Sequence, residues 1–533
     1  MVNEEIFGLM GEGLEMLNKS KYTFEDPTGQ KTNYNPFFGS FNISSSEKYG
    51  LEFINGGLIK GVVPFKPSIK GTVGMMMGDY NKGAGRDSTS FSLPLDIDKV
   101  ASLQRIWHAV NNTFWGCTEN YEERKLSSLG SKEQREKYVF FSKESPNVDL
   151  GNDQKIHLDM GDLEQLLKKV SKDLLSDNIL SNFVDFELSK NNKYFMNSEG
   201  SKIFSSYMRY SIALHVNAVD SKNRVIPHSK VFYGLEGDEL PTYDQLMEAG
   251  EILKEEVLDI VKSPIQKNGI FPTILDGKNN GVLWHEVIGH ALEAHGMQES
   301  MWGGKTSLFL GKLEKMIAPE FISLYDDPTI PNLDGSYKFD EEGVRSQRVE
   351  LIKDGVLKNY LHSRSSAAFF NTSSNGHARA SPGNASTPRM SNLIVESSNQ
   401  VNFEQLKEYL IHECEKQSKD YGLLLTGTAG GLTLPEESFF QTFPSQVFQI
   451  DRHGKTKRVR GIYIVGTPYQ TMNNMIQTSV RQSVFQGSCG AESGWIPSTI
   501  SAPDALINSL ELNRIPSDSY EELDESIVPK PKI

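Results

Sequence analysis

The chain is poor in cysteine, with three among 533 residues. Their unrelated positions, 117, 414 and 489, exclude a disulfide framework and point to a reducing compartment. No stretch approaches the roughly 18 consecutive apolar residues that a membrane-spanning helix needs, so no membrane partner is expected. The start, Met1-Val2-Asn3-Glu4-Glu5, lacks the basic and then apolar regions of a secretory signal, so the expected location is cytoplasmic. Basic residues are outnumbered, 55 Lys and Arg against 69 Asp and Glu, which leaves a formal charge of −14. With no basic stripe, that balance opposes nucleic-acid binding. The one short basic cluster, residues 452–458, reads as a solvated hairpin turn. Low-complexity tracts and internal repeats are absent too.

What is present is globular: 38% hydrophobic and 23% charged residues. The length exceeds one ordinary core, so two domains are expected. Residues 98–124 and 160–175 carry apolar positions at helical spacing, and 207–216 alternates like a strand. Between the helices, 127–150 is polar and reads as a long loop or hairpin. Residues 243–261 form an amphipathic helix that must end at Ser263-Pro264, where the boundary is placed. Beyond it, 349–357 reads as a hairpin around Asp354-Gly355, and 461–466 as a buried strand. The expected class is α+β: a helix-rich N-terminal domain with a sheet (1–262) and a mixed-strand C-terminal domain (263–533).

The most informative stretch is His285-Glu286-Val287-Ile288-Gly289-His290. Two imidazoles with a carboxylate beside the first are the donor set of a catalytic zinc site. The spacing is one residue longer than in the usual zinc-peptidase helix. On an ideal α-helix, positions i and i+5 point roughly 140° apart and could not share one ion. A π-type turn around Val287-Ile288-Gly289 would bring them together, with Gly289 tolerating the altered backbone. Phe271–Leu275 reads as a strand, 276–281 as a turn, and Val282 opens an apolar helix. A third ligand is required. The residues leave Glu293, His295 and Cys489 open; Cys489 reads as a loop cysteine among Gly487, Gly490 and Gly494, and Cys117 and Cys414 as buried apolar groups. His377 and Arg379, in Gly376-His377-Ala378-Arg379, either contact substrate or the transition state or decorate a turn. Asn332 to Glu341 imitates an EF-hand loop, but Ile330 falls at its first ligand position and a plain turn is expected.

Several blocks, in order, resemble the TldD/PmbA family of metallopeptidases, the TldD-type subunit in particular. They are Asn197-Ser198-Glu199-Gly200, Gly281 to Glu293, Tyr325 to Thr329, Phe339 to Val344, Asp354 to Leu357, Gly376 to Ala380, Pro388 to Asn392, Gly427 to Gly431 and Cys489-Gly490. Residues before about 193 depart from the pattern. The resemblance implies Zn²⁺ held by His285, His290 and Cys489, with Glu286 as general base. It further implies a zinc-dependent peptidase acting on flexible or unfolded peptides, working as a homodimer or as a heterodimer with a PmbA-type paralogue. The alternatives are a catalytically silent or regulatory scaffold subunit with a structural zinc site, and a thiol enzyme built on Cys489.

Overall fold

The computed structural model describes residues 2–25, 28–29, 31–64, 67–79, 83–127, 141–235, 240–301, 308–434, 439–516 and 519. The architecture is α+β, organised on two large sheets.

The first sheet has eight strands, and its central path runs 225–234, 202–219, 181–197, 36–54, 68–79, 83–93. Strand alternation divides its residues between two unlike faces. Phe41, Ile43, Leu51 and Phe53, at odd positions of Pro36–Ile54, join the apolar core beneath the helices. Helices Val2–Lys19 and Lys99–Ser127 cover one half of this face, and Met160–Asp173 and Tyr243–Lys262 the other. The opposite face is polar and meets the C-terminal half. There Asn42 Nδ2 donates to the Glu341 carbonyl at 2.9 Å, Lys193 pairs with Glu341, and Arg209 pairs with Asp334 at 2.9 Å.

The helices fall close to their expected places, with Lys99–Ser127, Met160–Asp173 and Tyr243–Lys262. The last opens on a Thr242/Gln245 capping box and stops before Pro264. Most of the loop expected over 127–150 lies outside the described residues; its end, Val148–Leu150, is a short strand. The hairpin at 349–357 is present, and Asp354 and Gly355 take φ of 45° and 76° in its turn. The EF-hand-like segment is a turn at Asn332, φ 60°, and Asp334 faces Arg209.

In the second sheet five strands close on themselves. Gly269–Leu275 pairs with Tyr421–Leu434, then come Phe439–Asp451, Ile462–Gly466 and Gly494–Arg514, which returns to Gly269–Leu275. An apolar helix springs from this ring and buries Val282, Leu283 and Trp284 against it. Its start corrects the expected turn at 276–281: the helix already begins at Gly277, because Asp276 caps it. Asp276 Oδ1 accepts from Asn279 N at 2.9 Å and Oδ2 from Gly427 N at 2.8 Å, so one carboxylate ends the strand and fixes the helix to its neighbour.

Candidate metal centre

Helix Gly277–Trp284 does not continue as an α-helix. Residues His285–Gly289 form one π-helical turn, in which the His290 N–H bonds the His285 carbonyl. The wider turn carries the second imidazole back to the face of the first, so the rings lie 4.9 Å apart at 83°. Gly289 serves a different purpose from the one expected. Its backbone is ordinary right-handed helix, φ −54° and ψ −57°, but a Cβ there would sit 2.0 Å from Met390 Sδ. Glycine is required for close packing, not for backbone freedom.

Cys489 reaches the pair from strand Met475–Ala491, where it stands opposite Ile496 two residues before the tight turn to Gly494. It is a strand residue and not the loop residue expected. Its Sγ lies 3.2 Å from His285 Nε2 and 3.3 Å from His290 Nε2. One donor atom from each of the three lies within 4.8 Å of the others. A tetrahedral zinc with bonds of ~2.0–2.1 Å to nitrogen and ~2.3 Å to sulfur spaces N and S about 3.5 Å apart. The donor set and its spacing therefore fit Zn²⁺, with three protein ligands and a fourth position left over.

The other candidates for third ligand take supporting positions. Glu293 Oε2 holds His290 Nδ1 at 3.0 Å, the carboxylate–histidine arrangement that fixes which ring nitrogen faces an ion. His295 Nε2 pairs with Glu492 Oε1 at 2.6 Å on the cavity wall. Arg389, which the sequence did not single out, is fully buried behind the site, with Nη2 2.9 Å from Cys489 Sγ. His285 Nδ1 has no hydrogen-bond partner among the described residues.

Burial alone would push the Cys489 thiol up, but His290 and His285 outweigh it and hold the group well below its usual range. Glu286 is also buried, and that desolvation raises its carboxyl despite the two imidazoles. Gly431 leaves it room, since a Cβ there would lie 2.8 Å from Glu286 Cγ. Both residues line a cavity of about 990 Å³, walled by Ala429–Thr433 on one side and Phe485 with 487–492 on another.

His377 and Arg379 do not line this cavity. His377 is fully buried, with Nε2 3.0 Å from Asp326 Oδ1 and Nδ1 3.0 Å from the Asn375 carbonyl. Asp326 also accepts from Ser391 N at 2.9 Å, so the pair braces the segment carrying Arg389 and Met390. Arg379 donates to the Met390 and Pro497 carbonyls and lines a separate cavity of about 480 Å³. As placed, both hold the wall of the site together from behind.

No helix among the described residues is long and apolar enough to cross a membrane. Residues 268–514 match the PmbA/TldA metallopeptidase C-terminal domain. The chain is 28% identical over 333 residues to a metalloprotease of Methanothermobacter thermautotrophicus, covering 62% of this chain and 70% of that protein. It is 26% identical over 266 residues to a zinc metalloprotease TldD homolog of Saccharolobus solfataricus, covering 49% and 55%. Its fold is shared with TldE of Thermococcus kodakarensis at a TM-score of 0.61 and 16% identity, over 95% of this chain and 99% of that one. The residues that match this C-terminal domain, 268–514, carry the whole of the His285–His290–Cys489 cluster.

Proposed function

We propose that this protein is a zinc-dependent peptidase that cleaves flexible or unfolded peptides. The observation that carries the reading is the convergence of His285, His290 and Cys489 with the buried Glu286 on one open cavity. The name of the Saccharolobus relative supports zinc as the metal. A soft thiolate with two imidazoles also favours Zn²⁺ over Mg²⁺ or Ca²⁺. Bound there, zinc would supply Lewis acidity toward a peptide carbonyl and make a water easier to deprotonate.

The chain's own residues do the rest. Glu286, whose burial raises its affinity for a proton, takes one from the attacking water and returns it to the departing amine nitrogen. Glu293 keeps the His290 ring in one orientation throughout. Two strand edges bordering the cavity support an extended substrate. Beyond Leu425, strand Tyr421–Leu434 is paired only with Phe439–Asp451, and residues 482–491 only with 494–503, among the described residues. A peptide lying along such an edge is held by its backbone, which gives loose side-chain specificity and demands an unfolded chain.

The test is metal analysis of the purified protein together with peptide cleavage by wild type and Glu286→Gln. About one zinc per chain is expected, with kcat lower by at least ~100-fold in the variant and the metal retained. Cleavage that persists after complete chelation would overturn the reading in favour of a thiol mechanism on Cys489.

A further inference from the structure

Two of the three candidate ligands stand 199 residues apart in sequence, His290 on the helix and Cys489 on the strand. One side chain spans the gap between their supports. The Arg389 guanidinium is fully buried and uses its edges on different elements. Nη2 donates to the Cys489 carbonyl at 3.0 Å and lies 2.9 Å from its Sγ. Nη1 donates to Ser493 Oγ at 2.9 Å and to the Gly494 carbonyl at 3.2 Å, which clamps the turn that ends the Cys489 strand. Nε faces Glu293 Oε1 at 3.5 Å, and the other oxygen of that carboxylate holds His290.

From this geometry we infer that Arg389 is the positioning residue of the metal centre, holding the thiolate and, through Glu293, the His290 imidazole in register before any ion arrives. The inference rests on the proposed metal site. A buried guanidinium between a thiolate and a carboxylate offsets two negative groups that would otherwise face each other unpaired. Its planar fork meets several acceptors at fixed angles, which a lysine ammonium cannot do. The N–H aimed at sulfur also draws charge from the thiolate, so the sulfur donates less to a bound cation. A metal bound there would then be a stronger Lewis acid than the same donors alone would leave it.

The experiment compares full-length wild type, Arg389→Lys and Arg389→Gln, each stripped of metal and titrated with Co²⁺ and with Zn²⁺ against a chromophoric chelator. Loss of a residue supporting metal ligands typically weakens affinity ~10–100-fold, and both variants are expected in that range. The sulfur-to-cobalt charge-transfer band should shift as well, because the sulfur has lost its N–H partner. Circular dichroism and elution volume establish that each variant is folded; should Arg389→Gln not fold, the lysine variant still decides. Folded variants with wild-type affinity and an unshifted band would overturn the inference while leaving the metal site intact. A wild type that binds neither ion would instead sink the metal site itself, and this inference with it.

Discussion

Gly289→Ala separates two explanations of why glycine precedes His290. In a helix, exchanging glycine for alanine is worth about 1 kcal/mol in favour of folding. The backbone at 289 is already helical, so that gain is available. Against it stands Met390, 1% exposed, whose Sδ would lie 2.0 Å from the new Cβ. Relieving that overlap needs a shift of about 1.5 Å to reach ordinary contact at ~3.5 Å. The backbone of Met390 cannot drift freely, because its N–H bonds Glu293 Oε1 at 3.2 Å and its carbonyl accepts from Arg379. Overpacking of this kind costs about 1–3 kcal/mol, so Gly289→Ala should destabilise by up to roughly 2 kcal/mol net. Met390→Ala alone should cost about 2–5 kcal/mol through the cavity it opens. In that background the sign reverses: the alanine at 289 meets no sulfur and should stabilise by about 1 kcal/mol. Urea unfolding of the four metal-free proteins measures the cycle, with an expected coupling of about 1–3 kcal/mol. If Gly289→Ala destabilised equally in both backgrounds, the glycine would be acting through its backbone and the packing argument would be wrong.

Other expectations follow from the same geometry. Gly431→Ala should push Glu286 from its place and lower kcat at least tenfold while zinc content stays at the wild-type level; unchanged turnover would detach Gly431 from the base. Cys489→Ser should lose zinc at chelator concentrations the wild type withstands, and full stoichiometry and affinity would show that the thiolate is not a ligand. Arg460 reaches across to the buried Asp220 at 2.5 Å, beside Arg224, so Arg460→Met should cost up to about 3 kcal/mol at neutral pH. Burial would raise the Asp220 carboxyl, but the two arginines outweigh it and hold it below its usual range. Its stabilising contribution is therefore complete above the unfolded value near 3.9 and fades as pH falls through the folded one. The gap between wild type and Arg460→Met, measured by urea titration, should shrink below about pH 4; a gap that widened there would contradict the linkage.

The metal helix was legible because a chemical demand constrained it. Two imidazoles five residues apart can share an ion only if the helix widens by one residue, and the π turn at His285–Gly289 does so. The reason for Gly289 was not legible, since Met390 lies about a hundred residues away in sequence. Cys489 looked like a loop residue because glycines surround it. They belong to a strand instead, and the Trp495 ring lies where a Cβ of Gly490 would be, 2.9 Å away. The first sheet was largely hidden for a related reason. Its second face packs on the C-terminal half through Asn42, Thr72 and Lys193, and although Pro36–Ile54 alternates at Phe41-Asn42-Ile43 and Leu51-Glu52-Phe53, the polar run Ser44 to Lys48 between them interrupts the pattern that marks a strand. Ser68–Asp79 is likewise disguised by Gly71, which is small because the Phe91 ring covers it. Arg389 was visible only as a member of the block Pro388 to Asn392, with no role attached to it.

The ring of strands also sets a timetable. His285 precedes Cys489 by 204 residues, and the strand that pairs with Cys489, Gly494–Arg514, is also the one that closes the ring. A ribosome adding ~5–20 residues per second needs roughly 10–40 s to travel from the first of these ligands to the last. Through that interval the imidazoles exist without their thiolate and the helix without its closing wall. On the proposed reading, the candidate centre stays in two separated pieces, the His285–His290 turn and the Cys489 strand, for as long as the chain remains unfolded. The proposed activity would then arise only once the ring has closed.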